Sequence, residues 1–518
     1  MPEYLIRAIE SLYLNDRYIL TDGPKTSDQV FPTRGVKQGC PLSPLLFALF
    51  VNDFKPSNAA DGSSLGVQLN EQADTFVSHL FYADDLTLFA NSPAKLNLLL
   101  KDLQAYSSKK GLTINVTKSQ VMVFNSSTKH PPTGQFMYGT STLPTVTEFK
   151  YLGLVFDPKG CSISAEKQWA QNLLIATNSA MAIAKKHGVG NRLDLVLSLY
   201  QSYATPLGLY ASQIWSTHLL NPQHVFKSPI EKRHLSFLRY ISGARRSTCS
   251  WALIHEFSRH PFQYYWWKSI ITFWNDSCSA TDNPLIQSVL KSDSDLAQTG
   301  CAYSWSAQVR RAYKSFYPTS GPSRFPASDS SFLSMQTVDG EEILARLLFV
   351  YSQFWQPLLG VEDHRVEDVP SRKALTYASC FLQNSVLPNN TILPAYLSHG
   401  NKDNVRRFAR FRLGSHFLGV ETGKFLDPYK PWSDRICMRC SADYVETLEC
   451  GVDDEHHLIF DCEAFSEARQ ELDLSECESV HDCMQNVVCF KFIVRCMRTL
   501  DQEEADDRAE QPSWLKAL

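Results

Sequence analysis

The sequence predicts an α+β chain, a strand-bearing N-terminal part followed by a long, nearly all-helical remainder. Up to about residue 157, short alternating apolar segments broken by Gly, Pro, Asn and Asp, such as His79-Leu-Phe-Tyr-Ala-Asp-Asp-Leu-Thr-Leu-Phe-Ala90, read as strands. From about Ser164 the apolar spacing becomes helical and rich in aromatics. Composition agrees: 44% hydrophobic and 20% charged residues is ordinary globular content, and 518 residues exceed what one core serves.

Residues 4–15 show helical spacing, followed by a strand-like stretch from Arg17 to Thr21 and a polar turn. Gly35 to Pro44 is a Gly/Pro-punctuated loop, and Leu45 to Asp53 reads as a buried helix. The segment around Asp84-Asp85 reads as two strands with a tight turn at that acidic pair. A helix from about Pro93 to Lys110 follows, with Gly111 as its C-cap. Phe149 to Asp157 reads as another strand pair, and long helices run from about Ser164 to Ile271. Residues 276–333 are rich in Ser, Asp, Thr and Pro and read as a boundary. The expected division is therefore 1–160, a helical 161–275, a linker-like 276–340 and a helical 341–518.

The net charge of −4 hides a strong asymmetry. Residues 441–518 carry 20 acidic and 6 basic side chains, so the rest of the chain is net +10. Val225 to Ile270 holds Lys227, Lys232, Arg233, Arg239, Arg245, Arg246, Arg259 and Lys268 against Glu231 and Glu256. Such a run is either a solvated helical face or a polyphosphate-binding surface. Eight of the 14 cysteines fall after residue 436. The N-terminus lacks a signal-peptide pattern and no apolar run approaches a membrane span, so the expected location is nucleus or cytoplasm and the cysteines are metal ligands or buried thiols.

Two adjacent carboxylates at a turn suit Mg²⁺ or Mn²⁺, which favour carboxylate oxygens and leave positions open for water and phosphate. Alone, Tyr82-Ala-Asp-Asp85 reads more readily as a solvated turn. Its neighbours decide: Arg34-Gly-Val-Lys-Gln-Gly-Cys-Pro-Leu-Ser-Pro44 upstream, then Gly111-Leu-Thr-Ile-Asn-Val-Thr-Lys-Ser119 and Phe149-Lys-Tyr-Leu-Gly-Leu154 downstream. In this order the segments resemble motifs B, C, D and E of the reverse transcriptases of non-LTR (LINE-type) retrotransposons. The resemblance implies part of a right-hand polymerase palm, an antiparallel sheet with helices, over 1–160, and a helical thumb over 161–275. It implies Asp84 and Asp85 as catalytic metal-binding carboxylates and Gln38 and Gly39 against nucleotide and template. Arg34 and Lys37 would neutralise phosphate, Lys118 would lie near departing pyrophosphate, and Tyr151, Leu152 and Gly153 would grip the primer. Lys118 is equally read as a solvated loop lysine, and Asp53 as a structural residue. The implied partners are an RNA template, a DNA primer or target, and dNTPs, with no membrane.

The family's polymerase uses a third carboxylate on a strand upstream of the helix that the first residues here resemble, and no residue before Asp16 can supply it. The expectation is an N-terminally truncated enzyme with an incomplete site and impaired synthesis; the alternative is a non-catalytic nucleic-acid-binding relic. Within the thumb-like part, Glu231 to Gly243 interleaves basic and aromatic residues as a template–primer surface would, whereas Trp266 and Trp267 read as core.

Near the C-terminus, Cys437-Met-Arg-Cys440 and His457-x₄-Cys462 supply three thiolates and an imidazole, a donor set for tetrahedral structural Zn²⁺. His456 is an adjacent alternative; the His-x₄-Cys spacing of the knuckle in the same retrotransposon family favours His457. Cys450 and the later cysteines carry no metal spacing. In that family the region is implicated in binding template RNA or target DNA. With the surroundings acidic, this would fall to Arg406, Arg407, Arg410, Arg412, Arg435 and Arg439.

Overall fold

The computed structural model describes residues 2–14, 16–59, 62–70, 73–124, 134–316, 332, 334–354, 375–381, 393–399, 401–422, 434–440, 451–472, 474 and 477–510. They form two compact units, Met1–Val123 with Ser127–Val146, and Phe124–Ser126 with Thr147–Leu518.

The first unit opens with helix α1 (Glu3–Leu14) and the short pair β1 (Thr21–Asp22) and β2 (Lys25–Thr26). Helix α2 covers Ser43–Val51, starting two residues before the predicted Leu45 because Pro44 fits the first turn, where its missing N–H costs nothing. Strands β3 (Val67–Asn70) and β4 (Ala73–Val77) pair antiparallel, as do β5 (His79–Tyr82) and β6 (Asp85–Leu88). Helix α3 (Pro93–Lys110) is bounded as its sequence demands. Ser92 caps it by accepting from Lys95 N at 3.3 Å, and Gly111 ends it in the left-handed region at φ +66°. Its buried face presents Leu99, Leu100 and Leu103. Leu100 packs with Val121, Phe136 and Leu143 from β7 (Val121–Met122), β8 (Phe136–Tyr138) and β9 (Ser141–Leu143). Strand β10 (Thr145–Val146) runs parallel to β7.

The second unit begins with the hairpin β11 (Phe149–Tyr151) and β12 (Leu154–Phe156). Helices α4 (Ser162–Lys186), α5 (Leu193–Leu199), α6 (Ser212–Trp215), α7 (Pro229–Ser242), α8 (Ser250–Glu256) and α9 (Phe262–Ser279) follow. Trp266 and Trp267 are buried as read from the sequence, and their indole N–H groups donate to Gly208 O at 2.9 Å and Leu220 O at 3.3 Å.

The stretch expected to be linker-like instead carries packed helices, α10 (Pro284–Gln298) and α11 (Trp305–Lys314), whose Leu290, Val309 and Tyr313 join the core. Its polar residues are helix-start signals. Asn283 and Ser304 cap the two helices, and Asp293 accepts from Trp305 N at 2.8 Å and Ser306 N at 2.7 Å. Residues 317–331 and 333 of that stretch lie outside the described residues.

Beyond it stand α12 (Gly340–Ser352), α13 (Leu375–Phe381), α14 (Lys402–Arg412), α15 (Ser466–Leu472), α16 (Val480–Gln485) and α17 (Val487–Glu510). An internal ion pair ties three of these segments. Arg412 of α14 meets the fully buried Glu256 of α8 at 2.7 and 2.9 Å and donates to Met484 O of α16 at 2.6 Å. Tyr377 and Tyr396 also donate to Glu256. Among the described residues no helix is long and apolar enough to cross a membrane.

Candidate active and metal sites

The acidic pair sits where the sequence puts it, one residue out of register with the expected turn. Tyr82 pairs with Asp85, so the two-residue loop is Ala83-Asp84 and Asp85 opens β6. The strands alternate. His79 and Phe81 turn toward Phe54, with ring centroids at 4.9 and 6.2 Å, while Leu80 and Tyr82 are exposed. Ala83 is held at φ +51°, a region costly for a side-chain-bearing residue and typical of constrained loops. Asp84 and Asp85 are both exposed, and among the described residues neither carboxylate has a hydrogen-bond or ion-pair partner. The oxygen donors and open surroundings fit a hard divalent cation. Among the described residues, no third His, Cys, Asp or Glu converges with them.

Asp53 is structural, as read: Tyr106 donates to it at 2.7 Å and Lys110 pairs with it at 2.8 Å, joining the end of α2 to α3. Those hydrogen bonds, from Lys110 first, hold its carboxyl below the ordinary range. In the loop before α2, Arg34 and Gln38 are exposed and Gly39 adopts φ +81°, which glycine accepts without strain. Lys37 already has a partner, Asp16 at 3.0 Å. Lys118 is exposed on a turn whose backbone N–H is held by Asn115.

Tyr151, Leu152 and Gly153 lie at the β11–β12 hairpin of the second unit. Both loop residues have positive φ, +45° for Leu152 and +86° for Gly153, the pattern of a tight two-residue turn. Two residues that carry no sequence signal hold it. Gln168 of α4 donates to Gly153 O at 2.7 Å and accepts from Val155 N at 3.0 Å. Tyr210 donates to Leu152 O at 2.8 Å, and its ring lies where a Cβ on Gly153 would meet it at 3.1 Å. Leu152 therefore keeps an unfavourable backbone and an exposed side chain.

Cys437, Cys440, His457 and Cys462 converge, their donor atoms all within 4.8 Å of one another. Cys462 Sγ is 3.8 Å from both Cys437 Sγ and Cys440 Sγ, and Cys440 Sγ is 3.3 Å from His457 Nε2. A tetrahedron with Zn–S of about 2.3 Å has S···S edges of about 3.8 Å, so the sulfurs already stand at zinc spacing. Local structure explains the His-x₄-Cys interval. On an α-helix, residues five apart point about 140° away from each other, but His457–Asp461 forms one π-turn in which Cys462 N donates to His457 O at 2.7 Å. This turn brings both donors to one side. Glu463 N donates to Cys440 Sγ at 3.4 Å, and the buried Nδ1 of His457 has no described partner. His456, the alternative, is exposed and faces Asp461 instead. Hydrogen bonding from Cys462 is the largest influence favouring ionisation of the Cys437 thiol, which is pulled well down, while the Cys462 thiol is pushed up.

Comparison with known proteins bears on the part of the chain that holds the acidic pair. The family described as reverse transcriptase (RNA-dependent DNA polymerase) matches residues 2–156. The chain carries a reverse transcriptase domain. Its relatives are of the non-LTR retrotransposon kind. It is 29% identical over 167 residues to a retrovirus-related Pol polyprotein from the type-2 retrotransposable element R2DM of Drosophila melanogaster, covering 31% of this chain and 15% of that protein. It is 26% identical over 201 residues to the Pol polyprotein of a type-1 element R2 of Popillia japonica, covering 36% and 32%. It is 25% identical over 253 residues to the RNA-directed DNA polymerase of the mobile element jockey of Drosophila funebris, covering 46% and 25%. The chain thus spans a third or less of the length of these relatives.

The reverse transcriptase domain holds the exposed Asp84 and Asp85, and the match ends on the hairpin that Gln168 and Tyr210 support. In the helices beyond the domain, α7 exposes Lys232 and Arg233 on the face opposite its buried Ile230, Leu235 and Leu238, and Lys227 and Arg246 flank it, also exposed. Arg259 is buried. The C-terminal arginines are engaged internally. Arg407 and Arg410 pair with Asp501 at 3.0 and 2.8 Å, Arg439 with Asp453 and Glu503, and Arg412 and Arg435 are buried. Of the arginines expected to bind phosphate locally, Arg407, Arg410, Arg412 and Arg439 thus meet acidic partners from within the chain, and Arg406 donates to the carbonyls of Tyr240 and Ile241.

Proposed function

We propose that the chain works as the palm and thumb portion of a non-LTR retrotransposon reverse transcriptase, holding an RNA template and a DNA primer, with weak polymerase activity of its own. The observation that carries this reading is the β5–β6 hairpin, which displays Asp84 and Asp85 to solvent with no side-chain partner among the described residues. These carboxylates would hold Mg²⁺ or Mn²⁺; when bound, such ions activate the primer hydroxyl and stabilise charge on the leaving phosphate. The chain's own residues position the substrates. The glycine at position 39 lets backbone approach the nucleotide and template, Arg34 offers charge to phosphate, and the Tyr151–Gly153 hairpin presents a fixed edge to the primer. Lys232 and Arg233 supply thumb cations for the duplex backbone. Lys118 would serve near pyrophosphate.

The weak-activity part rests on the two-carboxylate site. Losing one ligand of a charged catalytic centre is commonly worth several kcal/mol, hence orders of magnitude in rate. Cys437, Cys440, His457 and Cys462 would hold one structural Zn²⁺, pinning the loops on either side of the knuckle.

The test uses the full 518-residue chain with an annealed RNA template–DNA primer, dNTPs and Mg²⁺. The expected result is salt-sensitive binding, weakened by Lys232→Ala with Arg233→Ala and unchanged by Asp84→Ala, with primer extension weak, barely above background, and lost in Asp84→Ala. Robust extension abolished by Asp84→Ala would overturn the impaired-activity reading. No template–primer binding at low salt would overturn the whole.

A further inference from the structure

The cysteines beyond the knuckle carry no metal spacing and read in sequence as core or free thiols, yet three of them meet. Cys477, Cys483 and Cys489 each direct one Sγ to a common point, with all three atoms within 4.8 Å. We propose that they form a second, independent metal site, taking a thiophilic d10 cation (Zn²⁺ or Cu⁺) in a three-thiolate shell.

Burial alone would make these residues small hydrophobes. Cys496 shows what that looks like: it lies on the same helix as Cys489, is fully buried, and stands outside the cluster. The trio instead draws on three separate backbone segments, the turn at Cys477, the short helix α16 and the first turn of α17. In α16 the buried residues are Cys483 and Met484, so one of its two inward side chains is a sulfur of the trio.

The donor chemistry selects the ligand. Thiolates without carboxylate or imidazole favour Zn²⁺ or Cu⁺ over hard cations. Among the described residues no fourth ligand joins the three. Cu⁺ would be three-coordinate, whereas Zn²⁺ would add a water or one further donor. On binding, up to three thiol protons pass to solvent and three metal–sulfur bonds form, with no change of oxidation state. Cys477 Sγ and Cys489 Sγ stand 2.9 Å apart, so closing on zinc spreads this pair by about 0.9 Å, to the tetrahedral edge of about 3.8 Å. The proposal is independent of the polymerase reading, and the knuckle variant separates it from the first zinc site.

The test is metal analysis of the full 518-residue chain, purified under reducing conditions, for both zinc and copper. The expected content is two equivalents per chain, falling to one in Cys483→Ser, to one in Cys440→Ser and to none in the double variant. Cys496→Ser retains two. The identity of the metal lost in Cys483→Ser distinguishes zinc from copper. Should Cys483→Ser fail to fold, alkylation of the wild-type chain replaces it: Cys477, Cys483 and Cys489 become reactive together on addition of chelator. Content of one equivalent unaffected by Cys483→Ser, or alkylation of the three thiols indifferent to chelator, overturns the site. So does an intact mass showing Cys477 and Cys489 already joined as a disulfide.

Discussion

Replacing Gln168 by Leu tests how the β11–β12 hairpin is kept in shape. The side chain makes two hydrogen bonds to the hairpin backbone, at 2.7 and 3.0 Å, and is half-buried. At about 0.5–1.5 kcal/mol each, they contribute about 1–3 kcal/mol. Opposing them is Leu152 at φ +45°, a left-handed backbone that costs about 1–2 kcal/mol in a residue with a Cβ. The two magnitudes are close, so with Tyr210 the one side-chain support left to the hairpin backbone among the described residues, the turn should open measurably. Hydrogen exchange at the Leu154 and Val155 amides reads this directly. The expected acceleration is roughly 5- to 150-fold, at tenfold per 1.4 kcal/mol, accompanied by weaker template–primer binding. Adding Leu152→Gly removes the backbone penalty and should recover most of the protection. Exchange within threefold of wild type in Gln168→Leu, or no recovery in the double variant, would refute the balance of strain against hydrogen bonding.

Three further outcomes follow from the same structure. Arg412→Ala should cost about 3–5 kcal/mol, because it strands the buried Glu256 carboxylate. Burial pushes that carboxyl up, but Arg412 and the two tyrosines together hold it below its ordinary range. The wild-type contribution is therefore present above the unfolded carboxyl range and is lost as pH falls through the folded value. In the variant burial is opposed by the two tyrosines alone and prevails, so its deficit should shrink as pH falls, and urea unfolding across pH 4–8 checks the sign. Gly39→Ala should destabilise the loop before α2 by roughly 1–2 kcal/mol through backbone strain alone, since a Cβ there meets nothing within 4 Å. Proteolysis of that loop, with intact α2 as reference, measures it. Treatment with a strong zinc chelator should expose Cys437, Cys440 and Cys462 to alkylation, and Cys440→Ser should abolish one equivalent of bound metal.

What was legible in the sequence was local. The Asp84-Asp85 hairpin, the helix from Pro93 to Lys110 with its Gly111 cap, and the knuckle spacing each lie within a short window where period, cap and interval state the answer. The turn register slipped by one because the apolar alternation of His79 to Leu88 leaves the positive-φ position open between Ala83 and Asp84. Residues 284–314 were misleading because Ser, Asp and Asn serve equally in loops and at helix starts. Gln168, Tyr210 and the Cys477 cluster were invisible for a different reason. Their partners are brought together by helix packing or by the junction of two helices, and no spacing in the chain announces them.

The family match ends at residue 156, whereas the compact units divide at 146/147. Homology and mechanics thus place the hairpin on opposite sides of a border. A chimera joined to a related polymerase at residue 156 would deliver the hairpin without the Gln168 and Tyr210 that hold its shape, and inherit whichever residues the donor has there. Joined at 146, it would carry hairpin and supports as one heritable piece. Recombination between such elements should accordingly tolerate crossovers ahead of Thr147 better than those just after Phe156.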